Sequence, residues 1–158
     1  MPTGDTRFMR EAIAVAHQGV RAGQSPFGAC VVRDGRIIAR AHNTVLRDGD
    51  PSAHAEVNAV RAAGVALGSH DLSGCTVYAT GEPCPMCLAC CYWAHVPRIV
   101  FGSLLADSEA IGFGELPYVP ADLLAHAVRP IEIAGGLLRD ECLGIFRAWK
   151  ARGGRDTY

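Results

Sequence analysis

Two short stretches restrict this chain more than the rest of its sequence does: PSAHAEVNAV at residues 51–60 and GEPCPMCLACCYWA at residues 81–94. Four of the seven cysteines, Cys84, Cys87, Cys90 and Cys91, fall in the second stretch, and prolines flank the first of them. Pro85 is suited to open a helix. Cys84 and Cys87, three apart, then share a face of its first turn, where the helix dipole favours thiolates. His54 and Glu56 stand in the first turn of another helix. One imidazole and two thiolates, His54, Cys84 and Cys87, make three ligands for a single Zn²⁺. Three protein ligands leave a fourth position for water, as a catalytic zinc requires. Glu56 lies two positions from a ligand, near enough to take a proton from that water and hand it to a leaving group.

Cys90 or Cys91 could instead be the fourth ligand of a closed structural site, with three sulfurs and one nitrogen, which would make the chain a non-enzymatic zinc module. The preferred reading makes both small buried residues that pack the helix against a sheet. An odd cysteine count fits metal ligands, catalytic groups or core residues in a reducing compartment better than disulfides.

The chain of 158 residues suits one domain, 1–158, and 49% apolar content allows one sizeable core. A formal net charge of −1 gives no electrostatic reason to expect a nucleic-acid partner. The opening residues MPTGDTRFMREAIAVAHQ lack the apolar run of a signal peptide, and no apolar segment reaches the roughly 20 residues that cross a bilayer. A soluble, cytoplasmic protein is expected.

Apolar spacing predicts a helix from Thr6 to Ala22. FGACVV (27–32) and RIIARAH (36–42) read as strands joined at Asp34-Gly35, a hairpin signal. Pro51-Ser52 is expected to open the second helix, through about Ala66, with Ser52 as N-cap. CTVYAT (75–80) reads as a strand, 85–94 as a helix closed by Pro97, RIVFGS (98–103) as a strand, 104–127 as irregular or weakly helical, 130–135 as a strand, and Leu137 to Ala151 as a last helix. The pattern predicts an α/β fold with helices on both faces of a mixed sheet.

His-x-Glu followed by Pro-Cys-x-x-Cys is the signature of zinc nucleobase deaminases. The chain resembles the cytidine deaminase superfamily, which implies a three-layer α/β/α sandwich around a mixed five-stranded sheet. PFGACVVRDG with Asn43, DPSAHAEVNAVR, EPCPMCLACCYWA, EAIGFGE and the terminal Tyr158 are similar to segments of bacterial guanine deaminases. That resemblance implies hydrolysis of a free nucleobase, guanine to xanthine and ammonia, with no organic cofactor. It also implies that Glu56 is the proton shuttle, that Glu115 is a second acid serving the departing amine, and that Asn43 hydrogen-bonds the purine. Phe27 and Trp93 would wall the base, and the Ala55 N–H would contact it near the reacting carbon. A homodimer is implied, in which the C-terminal segment crosses over and Tyr158 closes the partner's pocket. Residues 116–131 follow no recognised pattern, which keeps cytosine, guanosine and a triazine such as ammeline open as substrates. The tRNA adenosine deaminases share both zinc segments, but the tail GGRDTY lacks the basic character that RNA would require.

Overall fold

The computed structural model describes residues 3–158. In chain order they form α1 (Thr3–Arg21), β1 (Gly28–Arg33), β2 (Arg36–His42), α2 (Val45–Asp48), α3 (Ala55–Leu67), β3 (Cys75–Gly81), α4 (Pro85–Trp93), β4 (Arg98–Ser103), α5 (Leu105–Ala110), α6 (Pro120–Leu123), β5 (Glu132–Ala134) and α7 (Arg139–Ala151). The five strands make one sheet in the order β2-β1-β3-β4-β5. β1 runs antiparallel to β2 and β3, while β3, β4 and β5 are parallel. This is the expected mixed five-stranded α/β/α architecture.

Alternation along the strands builds two cores. Ala29, Val31, Val77, Ala79, Ile99 and Phe101 face α3 and α4. Their neighbours Cys30, Val32, Tyr78 and Val100 face α1 and α7. Asp34 and Gly35, both with positive φ (50° and 70°), make the tight turn between β1 and β2. Gly28 lets α1 lie directly on β1: a Cβ there would stand 2.4 Å from the Ala12 carbonyl oxygen.

A buried ion pair ties α1 to the sheet. The Asp5 carboxylate accepts two bonds from Arg98 (3.0 and 2.8 Å) and one from the Tyr78 hydroxyl (2.6 Å). Arg98, at the head of β4, also reaches Glu132 on β5 at 3.1 Å.

The second helix begins later than Ser52. Asp50 accepts both the Ser52 N–H (2.8 Å) and its hydroxyl (2.7 Å), so this segment is a side-chain-supported turn rather than a cap. His54 is the N-cap residue of α3. The single turn α2 lies where no helix was expected. In the irregular stretch, α5 and α6 are short, and Tyr118 donates to the Pro83 carbonyl, pinning the stretch against the start of α4.

Candidate active site

The parallel strand β3 delivers its carboxyl end to the start of α4, and α3 begins beside it. Ligand sites of open α/β sheets lie at this edge. Cys84 is the N-cap residue of α4 and His54 that of α3, so the two helix starts meet at the metal-binding segments. The His54 Nδ1 lies 3.7 Å from the Cys84 sulfur and 3.5 Å from the Cys87 sulfur. Zinc bonds of about 2.3 Å to sulfur and 2.0 Å to nitrogen, at tetrahedral angles, put such atoms roughly 3.5 Å apart. The donor set therefore fits Zn²⁺ in type and spacing, and the three ligand atoms lie within 4.8 Å of one another.

Neither neighbouring cysteine joins them. Cys91 is buried in the α3/α4 core as expected. Cys90 is only half-buried and belongs to neither core cluster, so the reading of it as a core residue is corrected. Among the described residues, the metal group is the three-ligand set that a catalytic zinc uses.

Hydrogen bonding poises the two sulfurs differently. The Cys87 thiol and His54 both hydrogen-bond Cys84, which holds the Cys84 thiol far below its ordinary range. The same bond from Cys87, together with burial, pushes Cys87 up. Glu56, buried in the first turn of α3, has a carboxyl oxygen 3.5 Å from the Cys87 sulfur. Burial, reinforced by negative charge at Cys84, pushes its carboxyl up to about 7. A carboxyl poised there can both take and return a proton at neutral pH.

A cavity of about 290 Å³ opens onto these groups. Phe27, Phe113 and Tyr158 form its aromatic walls. The Phe113 ring meets Phe27 edge-on at 5.1 Å and Tyr158 edge-on at 5.5 Å. Asn43 is fixed by its own carbonyl, which accepts the Val45 N–H at 3.0 Å, leaving its amide NH₂ turned to the Tyr158 hydroxyl. Ala55 opens α3 between the lining residues His54 and Glu56, so its N–H is one of the helix-start donors without an intrahelical partner. Glu115 also lines the cavity, where burial raises its carboxyl and a Ser108 hydrogen bond partly offsets that rise.

Eight of the ten residues singled out from sequence line the cavity or face the metal position, and Ala55 adjoins them. Trp93 does not. It is 73% exposed and lines a shallow recess with Val60, Arg61 and His70. The reason is helical rise: at 1.5 Å per residue, the last residue of α4 stands about 13 Å along the axis from Cys84. Tyr158 lines the pocket of the single chain that the structure describes. Gly153 (φ 81°) turns the tail off α7, Gly154 lies flat on Trp149 where a Cβ would fall 2.3 Å from the ring, and the Gly114 N–H holds the Tyr158 carbonyl at 3.1 Å. Sequence reasoning missed Phe113, whose signal was only an aromatic inside EAIGFGE. It also missed Glu82 and Met86 on the rim.

Three convergent ligands, a buried carboxyl beside them and an aromatic-walled cavity define a zinc-dependent hydrolytic deaminase. The chain belongs to the family described as the cytidine and deoxycytidylate deaminase zinc-binding region, whose model matches residues 2–103. It is 43% identical over 109 residues to the guanine deaminase of Bacillus subtilis (strain 168), covering 68% of this chain and 70% of that one. It is 36% identical over 148 residues to the tRNA-specific adenosine deaminase of the same organism, covering 93% and 89%. Among solved structures, a mutant of NE0047 in complex with 8-azaguanine superposes with a TM-score of 0.85 at 31% identity, covering 93% of this chain and 86% of that one. Among the described residues, no helix is long and apolar enough to cross a membrane.

Proposed function

We propose that this deaminase converts free guanine and water to xanthine and ammonia. One observation carries the choice of a free base over a base within RNA. The charged side chains that line the cavity beside the metal ligands are Glu56, Glu82 and Glu115, with no lysine or arginine among them, and Tyr158 is one of its aromatic walls. Phosphates at such a mouth would meet carboxylates and an aromatic lid, whereas RNA binding rests on Lys and Arg near the backbone. The similarity to a guanine deaminase and to a structure holding 8-azaguanine supports a purine.

Zinc held by His54, Cys84 and Cys87 supplies Lewis-acid activation of water at neutral pH. The protein's own groups do the rest. Phe27 and Phe113, packed edge to face on each other, wall the planar base, and Asn43 donates its NH₂ to a purine acceptor. The Ala55 N–H holds the base near its reacting carbon. Glu56 takes a proton from the attacking water and returns it to a ring nitrogen as C2 becomes tetrahedral. Glu115 protonates the exocyclic amine, which leaves as ammonia while the new C2 carbonyl forms. Tyr158 keeps bulk water out.

The active form is a cytoplasmic homodimer. Exchange of the C-terminal segment between subunits would recreate the same contacts of Tyr158 with Asn43 and Phe113, as domain exchange does. The test is to incubate the zinc-loaded protein with guanine and quantify both products. Xanthine and ammonia in equal amounts are expected, together with loss of turnover and unchanged zinc content in Glu56→Gln. Absence of xanthine from the unaltered protein would overturn the reading.

A further inference from the structure

Ser108, on α5, makes two contacts that cannot both use its single hydrogen. Its buried hydroxyl oxygen lies 2.8 Å from the Leu105 carbonyl and 2.6 Å from Glu115 Oε1. A carbonyl accepts only, an ionised carboxylate accepts only, and a hydroxyl carries one hydrogen. One hydroxyl hydrogen cannot serve both oxygens well at once, and a proton on Glu115 would supply the second bond.

We infer that Ser108 is a positioning residue for the deamination, a hydroxyl rotor that gives Glu115 a hydrogen-bond partner both as acid and as carboxylate. In the acid state Glu115 donates to the Ser108 oxygen, and Ser108 donates to the Leu105 carbonyl. In the carboxylate state the hydroxyl turns and donates to Glu115. The inference rests on the reading of Glu115 as the acid that serves the departing amine.

The rotor stands on a fixed base. Glu82 accepts the Leu105 N–H at 3.0 Å, and Asp107 accepts the Leu104 N–H at 2.8 Å. Asp107 is held in turn by two bonds from Arg139 on α7, at 2.9 and 2.6 Å. The C-terminal side is tied back by the Phe113 N–H, which donates to the Ser108 carbonyl at 3.1 Å. Glu115 therefore changes charge against a scaffold that need not move. The ionisable groups around it are His54 and Glu56 from α3, Glu82 and Cys84 before α4, Glu109 on α5, and Tyr158 of the tail. Among these groups His54 favours a carboxylate at 115, and the Ser108 hydroxyl is the side chain that hydrogen-bonds it directly.

The proton balance closes. Glu115 gives its proton to the amine nitrogen, the C2–N bond breaks with its electron pair on nitrogen, and ammonia leaves. The C2 hydroxyl loses its proton as the carbonyl forms, and that proton restores the acid state of Glu115 through solvent. Each turnover needs both charge states.

Ser108→Ala decides the point in the zinc-loaded protein. Carbon-13 NMR of the glutamate carboxyls, with Glu115 assigned by its loss in Glu115→Gln, should show the Glu115 titration moved upward in the alanine variant. For guanine, kcat should fall about tenfold or more with KM nearly unchanged, as expected for losing a hydrogen bond to a charged group. Ser108→Cys keeps the side-chain shape with a weaker donor, and should move the titration the same way by less. A Glu115 titration that stays in place in both variants overturns the inference, whatever the activity. If the unaltered protein fails to convert guanine, the functional reading fails, and the NMR titration still decides the role of Ser108.

Discussion

Replacing Asp5 by Asn should cost more stability than any single surface change. The carboxylate is 3% exposed and receives three bonds, two from Arg98 and one from Tyr78. The variant leaves Arg98 without its main counter-charge, although Glu132 and partial exposure still serve it. Removing one partner of a buried pair typically costs about 3–5 kcal/mol. The partial exposure of Arg98, 21% of its side chain, argues for the lower part of that range or just below it, about 2–4 kcal/mol. For a domain of this size that is a Tm drop of roughly 5–15 °C. The hydrogen bond from Arg98 holds the Asp5 carboxyl below its ordinary range against the opposing effect of burial. A depressed carboxyl stabilises the fold fully above its unfolded pKa, near 3.9, and loses that contribution as pH falls through the folded value. Urea unfolding of the parent and Asp5→Asn, both zinc-loaded, should therefore show a gap that is constant from pH 5 to 8 and narrows below about pH 4. A gap under about 1 kcal/mol, or one that widens in acid, would refute the claim that this ion pair anchors α1.

Other outcomes follow from close contacts and shared groups. Gly28→Ala should destabilise by about 1–3 kcal/mol or more in the same urea assay, since its Cβ would stand 2.4 Å from the Ala12 carbonyl oxygen and α1 would have to lift. Glu56→Gln should lower kcat for guanine by at least about 10²–10⁴-fold while elemental analysis still finds one zinc per chain. Deleting residues 155–158 should raise KM, because the Tyr158 lid is lost while His54, Cys84 and Cys87 remain. Mixing that truncated chain with the Glu56→Gln chain should restore activity only if the tail is exchanged between subunits.

The metal group was legible because it depends on local spacing. Cys84 and Cys87 share the first turn of one helix, and His54 and Glu56 lie at the start of another, so periodicity and composition already placed them. The hairpin at Asp34-Gly35 and the alternating strands were legible for the same reason. Features set by long-range packing were not. Phe113 becomes a wall only because α5 and its exit loop fold back over Phe27. Trp93 looked like a wall because it shares a motif with the ligands, but the length of α4 carries it away. Ser52 had the chemistry of an N-cap, and a local competitor, the Asp50 carboxylate, claimed both its N–H and its hydroxyl. The pairing of Ser108 with Glu115 joins two residues that sequence alone gives no reason to connect.

The central claim is that the cavity takes a free purine. Its most direct test is the ratio of kcat/KM for guanine to that for a tRNA anticodon stem-loop carrying adenosine at the wobble position, measured as ammonia release by one zinc-loaded preparation. The acidic, lidded cavity predicts turnover of guanine and none of the stem-loop. Turnover of the stem-loop with guanine left intact would contradict it.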